Sequence, residues 1–440
     1  MKRLLLLVVV LSSSFVLAEP SDTGDERQRL SAEVLWQMDR VGSPIISPDG
    51  SQVVVSVTNY KVETDQASTR LWLLDADGDE PSQRPLTAEG LSVSSAVFSP
   101  DGQHLAFVSS RDDDEAGQIY LLPMQSPGEA TRLSDVPTGA GALKWVGEHI
   151  YFISRIWPEQ DFDTMVEQIQ EDQDSHVSAH TWNALPYSFF DHWIDEDRQA
   201  HVFRTPAAGG EVQNLTLGSG LQLSRSSTST SSYDVSPDEN QLAIVADPTL
   251  NGTRPNLDVI LIELDEDGGS EQSINLTQGN AGTDANPMFS PDGRLLAFNR
   301  QHIPGFYGDA RFLMIHDLAS GDTRLLHDDW DRSADGLVWS PDSAGLFGAI
   351  DDAATRRVYF LPISSSAPVA ITSGTSYSGL SIAEDGTLVA ANQSFLYPPR
   401  VVRIDADTRT VTRLDQFNDE VLSTVDLGTY ESVTYTGADG

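Results

Sequence analysis

The chain has no cysteine. That excludes disulfides, thiolate metal sites and a lipid-anchored N-terminal cysteine. Basic residues are scarce: Lys and Arg number 27 against 66 Asp and Glu, for a formal charge of −39. Such a balance makes nucleic acid a poor partner, because phosphate binding needs the opposite sign. It fits a heavily solvated acidic surface whose self-repulsion is screened by salt. A long apolar run is missing too, since Leu4 to Val10 is too short to span a membrane. With Lys2 and Arg3 before it and "VLA" at 16–18 after it, that run reads as a secretory signal over residues 1–18. The expected location is periplasmic or secreted, with no membrane span after cleavage.

Catalytic signatures are also absent. No Gly-x-Ser-x-Gly nucleophile elbow occurs, and no histidine follows His327, so a Ser…Asp…His order cannot be completed downstream. Phosphate-loop and dinucleotide fingerprints are missing, and no cofactor is expected. His176 and His180 have the spacing of a helical metal pair, but no Glu follows as in zinc peptidases and the segment reads as loop. "DADGDE" at 75–80 and "DEDGGSE" at 265–271 lack the full twelve-residue calcium pattern and fall where hairpin turns are needed. No metal site is assigned, and the chain shows no reaction centre of its own.

What the sequence does have is a repeat. "ISPDGSQVVVSV" at 46–57 returns as "FSPDGQHLAFVSS" at 98–110 and "FSPDGRLLAFNRQ" at 289–301, with worn copies at Pro237 and Pro341. "LKWVGEHIYFISR" at 143–155 and "LSIAEDGTLVAANQS" at 380–394 complete the series. Spacings of about 43–54 residues suit one four-stranded propeller blade per repeat. Most repeats close on a Leu-Thr-like pair: Leu86-Thr87, Leu133-Ser134, Leu215-Thr216, Leu276-Thr277 and Ile371-Thr372. Leu325-Leu326 and Arg413-Leu414 are weaker versions. Starts and closures alternate, so the expected fold is all-β, a seven-bladed β-propeller of four-stranded blades. In each turn Pro presets φ, Asp bonds the local backbone and Gly takes the left-handed position. The turn is therefore a structural part that joins the two innermost strands of a blade. Its aspartates are not expected to be catalytic.

The long gap before Pro237 contains one closure, which predicts an insertion within the third blade, residues 156–190. Phe162, Val166 and Ile169 fall at helical spacing and predict a short amphipathic helix. "LPYSFFDHWIDEDRQAHVFRTP" is then expected to return to strand, with Tyr187, Phe189, Phe190 and Trp193 packing the insertion onto its blade.

The "SPDG…LAF" turn with its "LT" closure resembles the propeller shared by the prolyl oligopeptidase family and TolB-type periplasmic proteins. Residues 30–78, with "LSAEVLWQMDRVGSPIISPDG", are similar to the start of the bacterial acylaminoacyl-peptidase and dipeptidyl-peptidase V branch. There a short helix leads through "RVGSP" into the first blade. "SRIWPEQ" through "FFDHWIDEDRQAHVFRTPAAGG", 154–210, resembles the same branch, although Phe189-Phe190 stand where it carries an arginine and its neighbour. "YESVTYTGADG" at 430–440 resembles the strand that enters that family's catalytic α/β-hydrolase domain. The resemblance implies an N-terminal segment with a short helix over 19–40, a propeller over 41–427, and a linker over 428–440 towards a catalytic domain that this sequence lacks.

It further implies a substrate-gating propeller of an exported serine peptidase of dipeptidyl or acylaminoacyl type, acting on short peptides and inactive as given. The implied partners are short peptides and the α/β-hydrolase domain. Exopeptidase relatives hold the peptide's α-amine with acidic side chains from a propeller insertion, which singles out Glu167 and Glu171 on the expected helix. The alternative is a self-standing periplasmic TolB-like propeller that binds protein partners.

Overall fold

A computed structural model describes residues 27–437 apart from 79, 112–113, 127, 178, 180, 183–184, 195–197, 249–255, 266–268 and 365–366. The proposed signal at 1–18 and His180 lie outside the described residues. Five Ser-Pro-Asp turns share one hydrogen-bond pattern. Ser47, Ser99, Ser236, Ser290 and Ser340 each donate Oγ–H to the Asp two residues on, at 2.6–2.7 Å. Each Oγ also accepts the N–H that opens the next strand, from Gln52, His104, Gln241, Leu295 and Gly345. Each Asp also accepts the backbone N–H two residues further on. The motif thus satisfies the local donors as the chain reverses.

The left-handed position after Asp is glycine in blades one, two and five, with φ of 76°, 68° and 68° at Gly50, Gly102 and Gly293. Glu239 and Ser343 occupy it with φ of 60° and 58°. Both non-glycine occupants reach the preceding blade. Glu239 accepts from Tyr151 Oη at 2.8 Å and pairs with His149 Nδ1 at 2.7 Å, and Ser343 Oγ accepts the Asp292 N–H at 3.2 Å. An inter-blade bond offsets the strain that a side chain meets there.

Seven sheets of four successive antiparallel strands follow. The second blade is Ser92–Phe98, His104–Ser110, Gln118–Pro123 and Thr131–Arg132. In the first blade the innermost strand is broken into Arg40–Val41 and Ile45–Ile46, both paired with Gln52–Lys61. First strands of consecutive blades contact one another, which places them around the centre. In blades two, three, five and seven that inner strand carries a bulge, at Ser95, Ala142, Asn286 and Gly379, all with positive φ. The bulges bend the strand against the axis, and nothing in the repeat pattern announces them.

The closures cap the third strand. Thr87, Ser134, Thr216, Thr277 and Thr372 accept the N–H of Leu71, Ile119, Val202, Val259 and Val358. The two weaker closures are displaced by one residue from the pairs expected. Leu326 makes the leucine's bond to the Leu313 carbonyl, so His327 stands at the hydroxyl position. In the last blade Leu414 bonds the Val401 carbonyl, and the Asp415 carboxylate accepts the Val401 N–H in place of a hydroxyl.

Seven apolar clusters each straddle two neighbouring blades, so the core is a ring of interfaces. The ring closes without a shared strand: the first blade is built from residues 40–85 alone and the seventh from 376–413. Side chains join them instead. Val53, Val55 and Leu74 pack with Val389, Val401 and Leu414. The Ile46 N–H donates to Ser381 Oγ at 3.2 Å, and Arg403 Nη1 donates to the Ala76 carbonyl at 2.6 Å. Outside the ring, Val34 of α1 (Ala32–Gln37) clusters with Met38 and Val425, and Val421 and Leu422 of α3 (Asp419–Ser423) pack against them. Gln28–Arg29 pairs parallel with Val425–Asp426 beside them.

Candidate functional site

Antiparallel blades give the ring two unlike faces. One carries the Ser-Pro-Asp turns and the third-to-fourth strand turns. The other carries the second-to-third strand loops and the connections between blades, and we call it the loop face. Both terminal segments join the loop face, because Arg40–Val41 pairs with Thr58 and Val57 at the far end of its neighbour and the last strand runs towards the same side. Nearly every large apolar side chain that is exposed among the described residues lies there too. Trp36, Tyr60, Phe190, Trp193, Phe306 and Tyr307 are examples, whereas Ile274, Val369 and Val411 sit on fourth strands at the rim. Contiguous exposed apolar surface marks a contact face.

The third-blade insertion occupies this face but is longer than expected. The second strand ends at Ile156 and the third begins at Gln199, so the excursion covers 157–198. Its helix, α2, spans Phe162–Asp174 and is capped by Asp161, which accepts the Thr164 N–H at 2.9 Å. The packed residue is Met165, only 1% exposed, against Phe152, Ile156 and Phe203. Val166 is 54% exposed, so the expected stripe is rotated: Phe162 and Ile169 flank Met165, and Val166 turns outward. Residues 185–194 do not return directly to the blade's strand but form a small hairpin, Ser188–Phe189 with His192–Trp193.

The aromatic cluster does not pack the insertion onto its blade either. Trp182, Tyr187 and Trp193 pack on one another, with ring centres 5.0–6.4 Å apart, and Phe190 stays 89% exposed. Anchorage comes from Met165, the buried Ile194, and Arg225, whose Nη1 donates to the Leu185 carbonyl at 2.9 Å.

Glu167 and Glu171 lie one turn apart on α2, both exposed, on the side away from Met165. His176 is exposed beyond the helix end. Among the described residues no group of three or more His, Asp or Glu is arranged to hold a metal ion.

A cavity of about 820 Å³ opens on the turn face beside Asp342 and Asp405. Besides a small cavity of about 170 Å³ beside Leu396, two larger cavities open on the loop face. One, about 760 Å³, lies between the serine-rich connection 222–232 and the loops of the fourth and fifth blades, rimmed by Phe189, Phe306 and Tyr307. Its loops are held by a buried network. Asn280 donates to Asp284 at 2.8 Å and to the Gln301 carbonyl at 2.9 Å, and Arg300 pairs with Asp284 at 2.7 Å. Burial pushes the Asp284 and Asp258 carboxyls upward, against the lowering effect of Asn280 and Arg300 at the first and Asn275 at the second. The other cavity, about 640 Å³, lies between the sixth and seventh blades beside the hairpin of Asp352 and Thr355, with Arg332 and Arg356 on its wall. Neither of these two loop-face cavities is visible in the sequence. A run such as "SRSSTSTSS" at 224–232 shows a loop but not what it encloses.

No family model matches the chain. It is similar to dipeptidyl-peptidase 5 of Porphyromonas gingivalis, 23% identical over 396 residues that cover 88% of this chain and 55% of that protein. Dipeptidyl-peptidase 5 of Aspergillus fumigatus is 24% identical over 392 residues, 83% of this chain and 54% of the other. The chain therefore spans about half the length of the curated relatives it matches. Among solved structures, the acylaminoacyl peptidase of Pyrococcus horikoshii superposes with a TM-score of 0.66 at 14% identity, over 90% of this chain and 55% of that one. The β-propeller domain of the trilobed protease of Pyrococcus furiosus, described as having an open velcro topology, gives 0.58 at 10% identity, over 87% and 97%. The chain is thus a seven-bladed propeller, similar in sequence to dipeptidyl-peptidase 5 and in fold to the propeller of acylaminoacyl peptidase.

Proposed function

We propose that this chain is the propeller portion of an exported serine peptidase, with an α/β-hydrolase domain covering the loop face and short peptides as substrates. The supporting observation is the asymmetry of the surface: the terminal segments, the insertion and nearly all exposed apolar bulk share one face. A face of that kind suits a large partner, while the turn face carries polar, self-satisfied turns. A cavity enclosed between the two domains would admit peptides and exclude folded proteins. In this reading the serine, aspartate and histidine belong to the hydrolase domain, and the propeller governs access.

Glu167 and Glu171 hold the peptide's α-amine on this reading, once the partner domain lowers the dielectric around α2 and strengthens the ion pair. The test is hydrolysis of dipeptidyl 4-nitroanilides by the complete gene product, with a folded protein as the control substrate. Cleavage of the short substrates alone supports the reading, and a product with no serine that reacts with fluorophosphonates overturns it. The Glu167→Gln, Glu171→Gln double variant should raise KM for free-amine dipeptidyl substrates and leave N-acetylated ones unchanged.

A further inference from the structure

Asp352 gathers three partners at the edge of the cavity between the sixth and seventh blades. Arg332 Nη2 stands 3.2 Å from its Oδ1, and Arg357 Nη1 and Tyr359 Oη both donate to Oδ2 at 2.8 Å. Those bonds hold the carboxyl below the usual carboxylate range. Arg332 is committed further, since its Nη1 also bonds Asp331. Arg356 differs from both neighbours. It lines the cavity half-buried, donates Nε to the Ala349 carbonyl at 3.0 Å, and has no carboxylate partner among the described residues.

In a chain with 66 acidic residues a counter-ion is easily placed, and the two adjacent guanidiniums have one. Half-burying a guanidinium without one is costly unless something else supplies the charge. The remaining polar wall is mostly neutral: Ser376, Ser378 and Gln393, with Asp351 exposed at the edge. The cavity is the size of those that take small ligands.

We infer that Arg356 binds a carboxylate of a short peptide, in the cavity between the sixth and seventh blades. A guanidinium fork matches a carboxylate in two parallel charge-assisted bonds, and Ser376, Ser378 and Gln393 offer neutral partners to the amides beside it. The inference rests on the peptide-substrate reading above and adds a charge preference at a site remote from α2. The carboxylate comes either from the peptide's C-terminus or from an acidic side chain.

Calorimetric titration of the full chain with four peptides separates these sources: Ala-Phe-Ala-Glu, its C-terminal amide, Ala-Phe-Ala-Gln, and the amide of the last. The doubly neutral peptide should bind about ten-fold or more weakly than the first, the expected scale for a charge-assisted pair. Whichever single neutralisation reproduces that loss names the source. Arg356→Gln should bring all four affinities together, and Arg356→Lys should keep a reduced preference, because it retains the charge without the fork. Equal affinities in the unaltered chain, or a preference that survives Arg356→Gln, overturn the inference and leave the peptidase reading standing. Absence of binding by every peptide overturns the inference and removes support for peptide binding by the propeller at all.

Discussion

Asn418 and Asp39, 379 residues apart in sequence, clasp each other across the seam of the ring. The Asp39 N–H donates to Asn418 Oδ1 at 2.8 Å, and Asn418 Nδ2 donates back to the Asp39 carbonyl at 3.1 Å. Asn418 is buried, so water does not replace these bonds when the side chain is removed. Asn418→Ala should cost about 1–3 kcal/mol, the range for leaving buried backbone groups unpaired. Asn418→Asp keeps the acceptor but sets a buried carboxylate oxygen against the Asp39 carbonyl, so near neutral pH it should cost at least as much as alanine. Denaturant unfolding checks the ranking, and hydrogen exchange at Asp39 locates it. Faster exchange confined to the first and seventh blades would show that the seam opens before the ring melts.

The turn aspartates make acid stability predictable in sign. Asp49, Asp101, Asp238, Asp292 and Asp342 are all held below the ordinary carboxylate range, first of all by the serine hydroxyl two residues before them. A carboxyl whose folded value is depressed contributes stability above its unfolded value, about 3.9, and loses it as pH falls through the folded value. Asp258, Asp284 and Asp415 act oppositely, because burial raises theirs and their contribution fades as pH rises through the folded values. Thermal melts between pH 5 and about 2 should therefore show a steep decline. Asp→Asn at all five turns should flatten it and cost about 1 kcal/mol per site near neutrality. An equally steep decline in that variant would assign the acid sensitivity elsewhere.

The turns and closures were legible because their chemistry is local: a hydroxyl, a carboxylate and a glycine within five residues satisfy one another. Seven blades follow from counting them. Where a closure lacks its hydroxyl, as at Leu326-His327 and Leu414-Asp415, the register was readable only from the strand it caps. The inner-strand bulges left no trace, since Ser95, Ala142 and Asn286 share no residue type. The candidate site was the least legible part. Arg356 and Ser376 meet across two blades, and the fate of the Arg356 charge depends on Asp352 having been taken by Arg332, Arg357 and Tyr359. No spacing rule in one sequence encodes an arginine left over from a network.

Stability should increase with salt. A charge of −39 on one chain is self-repulsive, and that repulsion acts over the Debye length, about 10 Å at 0.1 M and about 3 Å at 1 M. Exposed ion pairs weaken as well, but only 27 Lys and Arg stand against 66 Asp and Glu, and the Arg300–Asp284 pair is sheltered, with an unexposed carboxylate. Screening thus removes more repulsion than attraction. The midpoint of thermal unfolding should climb between 0.05 M and about 1 M KCl, a salt chosen because it is weakly excluded from surfaces. A flat or falling profile would show that the acidic residues are already compensated.

Met165 carries the insertion, and its removal should separate local from global stability. It is the only fully buried residue of α2, seated against Phe152, Ile156 and Phe203 of its own blade. Met165→Ala removes buried volume that the blade cannot refill, a loss of about 2–5 kcal/mol where it is felt globally. The ring, however, is held by seven apolar interfaces, only one of which includes Met165. The energy should therefore appear as opening of the insertion. Exchange of the amides in 162–174 and proteolysis within 157–198 should accelerate by an order of magnitude or more, while the global unfolding midpoint moves little. Val166→Ala, one residue on and exposed, should change neither. A large fall in the global midpoint of Met165→Ala would show instead that the insertion is part of the propeller's cooperative core.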